Sequence, residues 1–90
     1  MFKVIVHNRA VRYLRKLPKF QKERIKQVLK ELEEMEGTVS LKKFDIKPML
    51  GEWEGYYRIR IGNVRVIFWV DQQNATIYID HSGPRGDIYK

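Results

Sequence analysis

Arg58 and Arg60 alternate with apolar residues in the run Tyr56-Tyr57-Arg58-Ile59-Arg60-Ile61-Gly62-Asn63-Val64-Arg65-Val66-Ile67-Phe68, and Arg65 follows across Gly62-Asn63. The chain then closes on Gly83-Pro84-Arg85-Gly86-Asp87-Ile88-Tyr89. Four guanidiniums and a phenol converging on one surface would suit a phosphate. A guanidinium forks two N–H donors onto phosphate oxygens. It stays protonated, so it is a poor base. RNA brings its own nucleophile, the 2′-OH. A protein cutting RNA must hold that hydroxyl in line with phosphorus and stabilise the added negative charge. Arginines suit both tasks. Tyr89 could orient the hydroxyl or stack on a base. An RNA-directed protein is therefore the leading expectation, with no obvious base in view. His81 is the only histidine near these residues; it could act as acid or base, or be structural.

Other chemistries are excluded by what the chain lacks. It contains no GxxxxGK[ST] phosphate loop and no HExxH pair, and His7 and His81 are its only histidines. Cysteine is absent, so neither a disulfide nor a thiolate metal site can form. Ser40 and Ser82 are the only serines, and neither sits in a nucleophile elbow. An enzyme built on this chain is expected to need no metal and no cofactor and to rely on electrostatics.

Ninety residues suggest one domain, 1–90, with one modest core. The apolar start from Met1 to Val6 is too short for a secretory signal, and no stretch has the length of a membrane span. The expectation is a cytoplasmic protein with no membrane partner. Net charge is +7 and unevenly spread. Residues 1–30 carry ten Lys/Arg against Glu23 alone, whereas Glu31, Glu33, Glu34 and Glu36 follow without a base. A basic surface attracts polyanions; a merely solvated basic face is the plainer alternative.

The elements that must position the arginines follow from periodicity. Phe2 to His7 reads as a strand with Val4 and Val6 on one face and Ile5 on the other. Asn8 is placed to cap a helix. Ala10, Tyr13, Leu14 and Leu17 fall at helical spacing, with Arg9, Arg12, Arg15 and Lys16 outward. Pro18 ends that helix. A second helix starts near Lys19 or Phe20, buries Ile25, Val28, Leu29, Leu32 and Met35, and stops at Gly37. Residues 38–56 read as a packed connection with a short strand near Lys43 to Ile46. From Tyr56 the period becomes two. Gly62-Asn63 makes a two-residue hairpin turn, Asp71 to Asn74 turns the chain again, and Thr76 to His81 forms a further strand. The predicted fold is α+β: strand, helical hairpin, then an antiparallel β-meander. The helices pack on one side of a twisted sheet. If they cover Tyr57, Ile59 and Ile61, then Arg58 and Arg60 face the open side.

The hairpin run and the Arg85…Tyr89 ending, with the order of elements, the length and the Leu17-Pro18 joint, resemble the RelE toxin family along essentially the whole chain. The resemblance implies a RelE-like fold and a ribosome-dependent mRNA endonuclease of a type II toxin–antitoxin pair. It would cut A-site mRNA by 2′-OH attack. A small RelB-like antitoxin would wrap it as a heterodimer or heterotetramer, leaving a monomer when free. By position, Arg58 and Arg60 correspond to phosphate-holding basic residues that are lysines in some members. Arg65 corresponds to a residue that stabilises the transition state, Arg85 to one acting at the leaving 5′-oxygen, and Tyr89 to a tyrosine that stacks on or orients the nucleotide.

Two alternatives stand beside this. A ParE-type toxin shares the fold but poisons gyrase. A non-catalytic RNA-binding or protein-interaction domain would bind RNA without cutting it. Individual residues also have plainer readings. Arg65 lies in an apolar strand and needs a partner or ligand, with Asp80 or Asp87 as candidates. Lys42, Lys43 and Lys47 belong either to an RNA contact or to a solvated loop. Trp53 and Trp69 are expected in the core or against an antitoxin.

Overall fold

The structure, a computed structural model, describes residues 1–34 and 45–84. Its elements run β1 (Lys3–Val6), α1 (Asn8–Arg15), α2 (Lys19–Glu34), β2 (Ile46–Pro48), a 3-10 turn (Gly51–Trp53), β3 (Tyr57–Ile61), β4 (Val64–Asp71) and β5 (Thr76–Pro84). The expected strand near Lys43 appears as β2, beginning at Ile46. The readings of Met35, Gly37, Lys42 and Lys43 lie outside the described residues.

The strands form one sheet in the order β1-β5-β4-β3-β2. The β2-β3-β4-β5 portion is antiparallel, as the alternation implied. The first strand runs parallel to the last, with Val4 opposite Ile77 and Val6 opposite Ile79. The sheet is therefore mixed. Parallel neighbours need a long crossover, and everything between β1 and β5 supplies it.

One face carries the core. Val4 and Val6 of β1, Ile59 and Ile61 of β3, Val64, Val66 and Phe68 of β4, and Ile77 and Ile79 of β5 meet Ala10 of α1 and Ile25 and Leu32 of α2. The helical stripe read from spacing is the buried stripe, because residues three and four apart share a helix face. Phe2 donates its N–H to the carbonyl of Glu33 at 2.8 Å, tying the start of β1 to the end of α2.

The helix ends show how local chemistry sets boundaries. The cap of α1 is His7, one residue before the expected Asn8: His7 is extended, and its Nδ1 accepts from the Arg9 N–H at 3.1 Å. An imidazole nitrogen can fill the role a short oxygen side chain usually takes. The last turn tightens, with Lys16 and Leu17 N–H groups reaching back three residues. Pro18 then accepts from Gln21 and Lys22, so the residue that stops α1 also starts α2.

The hairpin turn is type II′. Gly62 has φ +62° and Asn63 does not share the positive sign, while Ile61 stands opposite Val64. A Cβ on Gly62 would meet nothing nearer than Arg24 Nη1 at 3.9 Å. The demand for glycine is thus conformational and not steric. Gly62→Val is expected to cost about 1–3 kcal/mol, read as a lower urea midpoint at unchanged slope; Gly62→Asn, which tolerates this region, should cost less. Equal midpoints for all three proteins would refute the assignment. In the second turn, Asn74 donates its backbone and side-chain N–H groups to the Asp71 carboxylate at 3.2 and 2.8 Å. The side-chain bond from Asn74 is the main reason the Asp71 carboxyl is held below its ordinary pKa.

Candidate nucleic-acid interface

Strand alternation places Arg58, Arg60 and Arg65 on the face away from the helices, because their neighbours Ile59, Ile61, Val64 and Val66 are in the core. The register sorts that face into rows. Arg60 stands opposite Arg65, which stands opposite Gly83. The next row runs Lys47, Arg58, Ile67, His81.

These arginines are not equally open. Arg58 is buried (9% exposed), and Ile67 beside it is fully buried. Arg65 is half-buried and Arg60 exposed. The face expected to be open is thus partly closed. One carboxylate organises two of the guanidiniums: Asp45, just before β2, accepts from Arg60 Nε at 3.0 Å and lies 3.6 Å from Arg58 Nη2. Asp45 was not foreseen from sequence. Its short separation from Arg60 exists only because β2 pairs with β3; the Arg60 N–H also donates to the Asp45 carbonyl at 3.0 Å. Of the candidates considered for Arg65, Asp80 lies instead beside His81, and Asp87 falls outside the described residues.

Arg60 and Arg65 stand directly opposite one another, and Arg60 is paired with Asp45. With Lys47 and Arg58 in the adjoining row, four cations share one face with the Asp45 carboxylate. Phosphate oxygens reaching these side chains would gain charge-assisted hydrogen bonds. Arg85 and Tyr89 lie outside the described residues.

His81 reaches this face through an irregularity. Ile79 pairs with Phe68 but His81 pairs with Ile67, so Asp80 is an extra residue in β5. Strict alternation from Ile77 and Ile79 would have put His81 into the core. The bulge reverses the phase, turning His81 outward and Ser82 inward, where its hydroxyl donates to the Ala10 carbonyl at 2.9 Å. Trp53, on the 3-10 turn, meets the His81 ring edge-to-face at 5.0 Å and the Tyr56 ring likewise at 5.2 Å. Arg9 Nη1 lies 3.3 Å from His81 Nε2. Sequence reading had put Arg9 on an ordinary solvent-facing helix surface; its contact with a residue 72 positions away left no signal in the sequence. Farther along, Trp69 stacks on Tyr78 at 4.5 Å and is 36% exposed.

Elsewhere the helices carry the excess positive charge. Among the described residues none of their lysines and arginines is ion-paired. Between them and β1 lies a groove of about 300 Å³, floored by Val6, Leu14, Ile25 and Leu29 and rimmed by Arg15, Lys22 and Lys26. No helix is long and apolar enough to cross a membrane among the described residues, and no metal-ligating cluster occurs among them.

Comparison with known proteins adds a consistent set of likenesses. Residues 4–89 match the family model described as the ParE toxin of the type II toxin–antitoxin system parDE. A relative named RelE1 from Methanocaldococcus jannaschii is 33% identical over 89 residues, spanning 99% of this chain and 96% of that protein. The archaeal RelE–RelB complex from Pyrococcus horikoshii OT3 contains a chain with TM-score 0.79 and 32% identity, covering 96% of this chain and 97% of that one. In the RelB–RelE antitoxin–toxin complex from Methanococcus jannaschii the corresponding values are 0.74 and 28%, with 96% and 95% covered.

Proposed function

The chain belongs to the RelE/ParE family of toxins of type II toxin–antitoxin systems, and on that basis we propose that it is a ribosome-dependent endoribonuclease that cleaves mRNA in the A site. The observation that carries this reading is the grouping of Arg58, Arg60 and Arg65 on one sheet face, with Asp45 joining the first two. In the proposed reaction the 2′-oxygen attacks the adjacent phosphorus and the 5′-oxygen leaves. Arg60 and Arg65 fork onto the non-bridging oxygens, where charge builds as the attack proceeds. Arg58, buried and held by Asp45, keeps a fixed positive potential beneath them. Arg85 is assigned to the leaving 5′-oxygen and Tyr89 to the substrate nucleotide, both by family position. No step calls for a metal or cofactor.

The partner proposed for the resting state is a small RelB-like antitoxin, as a heterodimer or heterotetramer. Two of the relatives of known structure described above are toxin–antitoxin complexes. The apolar groove with its cationic rim suits an amphipathic acidic segment.

A second reading rests on one specific finding: the family model that matches is that of ParE. A ParE-like protein would poison gyrase. Primer extension on mRNA in programmed 70S ribosomes separates the readings. New ends at the A site, absent without ribosomes and lost in Arg85→Ala, are expected. An uncut message with folded protein, together with inhibited gyrase, would replace the nuclease by the gyrase poison. Salt-sensitive RNA binding with neither activity would leave a binding module.

A further inference from the structure

We infer that His81 is the proton acceptor of the reaction, taking the 2′-OH proton on Nε2 while Asp80 orients the ring. This rests on the nuclease reading above and supplies the base that arginines cannot be.

Three observations point to it. The first is placement. The extra residue in β5 swings His81 out of the core phase and onto the arginine face, in the row of Lys47, Arg58 and Ile67. Arg65, on the adjacent strand β4, is its diagonal neighbour, a separation of about 7–8 Å between backbone positions. A phosphate gripped by Arg65 would have its 2′-hydroxyl within reach of an imidazole there.

The second is tautomer. His81 Nδ1 is buried from solvent and lies 3.3 Å from Asp80 Oδ2. The contact is close but not aligned as a hydrogen bond. Arg9 Nη1 sits 3.3 Å from Nε2. A carboxylate at Nδ1 and a guanidinium at Nε2 both select the ring form with the proton on Nδ1 and the lone pair on Nε2. That is the form a base requires. A carboxylate behind Nδ1 also stabilises the imidazolium that forms.

The third is rigidity with access. The Trp53 ring packs edge-to-face on His81, while the side chain keeps 27% of its surface open. Arg9 is exposed and holds His7 as well, through Nε to Nδ1 at 3.0 Å and an Nη2 contact to Nε2 at 3.1 Å. When RNA binds, Arg9 Nη1 yields Nε2 to the hydroxyl and turns to the phosphate. The proton passes from the 2′-oxygen to Nε2, the 2′-oxygen–phosphorus bond forms, and the phosphorus–5′-oxygen bond breaks. The 5′-oxygen takes a proton from water. The products are a 2′,3′-cyclic phosphate and a 5′-hydroxyl.

The test is single-turnover cleavage of mRNA on programmed ribosomes across about pH 5.5 to 8.5. It compares wild type, His81→Gln, Asp80→Asn and His81→Ala with and without added imidazole. Among the described residues, the charged and titratable groups around His81 are Asp80 on its own strand, Arg65 on β4, Arg9 and His7 from the α1 side, Arg58 on β3 and Lys47 on β2. His7, the other histidine in this group, serves as a control: His7→Gln should leave the acid limb in place. Wild type is expected to lose rate on the acid side. His81→Gln can still accept from Arg9 but cannot take a proton. It should fall about 10²–10⁴-fold and lose the acid limb. Asp80→Asn should fall less and keep an acid limb. Imidazole should partly restore His81→Ala. A folded His81→Gln with wild-type rate and pH profile would overturn the inference, showing His81 to be an anchor for Arg9. A wild-type profile without an acid limb would overturn it whatever the variants' folding. Wild type that cuts nothing in ribosomes removes the nuclease reading and this inference with it.

Discussion

Arg65→Ala is expected to lower single-turnover cleavage of ribosome-bound mRNA by about 10²–10³-fold, the usual loss when one preorganised donor to a developing oxyanion is removed. Arg65 is half-buried and opposed by Arg60. The strand register fixes the two backbone positions opposite each other before substrate arrives, so little reorganisation of the backbone is needed as charge builds. The fold should survive the change, because Arg65 is only half-buried and stands outside the apolar core cluster. The urea midpoint should accordingly shift little while activity collapses. Arg65→Lys keeps the charge and loses the fork, so it should fall between wild type and alanine. Full cleavage by a folded Arg65→Ala protein would remove Arg65 from the site and weaken the case for this face as the phosphate cradle.

Phe68→Ala should produce the largest stability loss, about 3–5 kcal/mol. Its side chain is fully buried in β4, near the middle of the sheet. The ring packs against Tyr57 at 5.7 Å with planes 25° apart, and its backbone neighbours are Tyr57 on one side and Ile79 on the other. Strands on both sides restrain collapse of the space left behind, which keeps the cavity cost high. Domains of this size have roughly 5–15 kcal/mol in total. The variant should therefore unfold at much lower urea and lose growth inhibition through low abundance rather than altered chemistry. Phe68→Leu should recover most of the loss. A Phe68→Ala midpoint equal to wild type would mean that the core is not closed around this ring. The two alanine variants thus fail in opposite ways: one keeps its fold and loses its chemistry, the other the reverse.

Much of the scaffold was legible in the sequence because the signals are local. The helical stripe of Ile25, Val28, Leu29 and Leu32 needs only a 3.6-residue period. Gly62-Asn63 announced its turn because positive φ is cheapest for glycine. The site was legible only in part. That Arg58, Arg60 and Arg65 share a face follows from alternation on either side of a two-residue turn. That Asp45 bridges two of them does not follow, since its partners stand 13 and 15 residues away across a strand pair. The N-cap was misplaced by one residue because Asn8 has the stronger capping preference, yet the exit from β1 leaves His7 in the extended cap conformation.

By itself, the sequence determined the α+β class, the helix faces, the hairpin register and the side of the sheet on which its arginines stand. Each depends on a periodicity or turn preference acting over a few residues. Tertiary structure alone decided that β1 joins β5 in parallel, that Asp45 closes over Arg58 and Arg60, and that one extra residue turns His81 from the core toward the arginines. Those outcomes depend on which distant surfaces pack together. A bulge changes neither composition nor local propensity; it becomes visible only when Ile79 and His81 are both matched to their partners on β4.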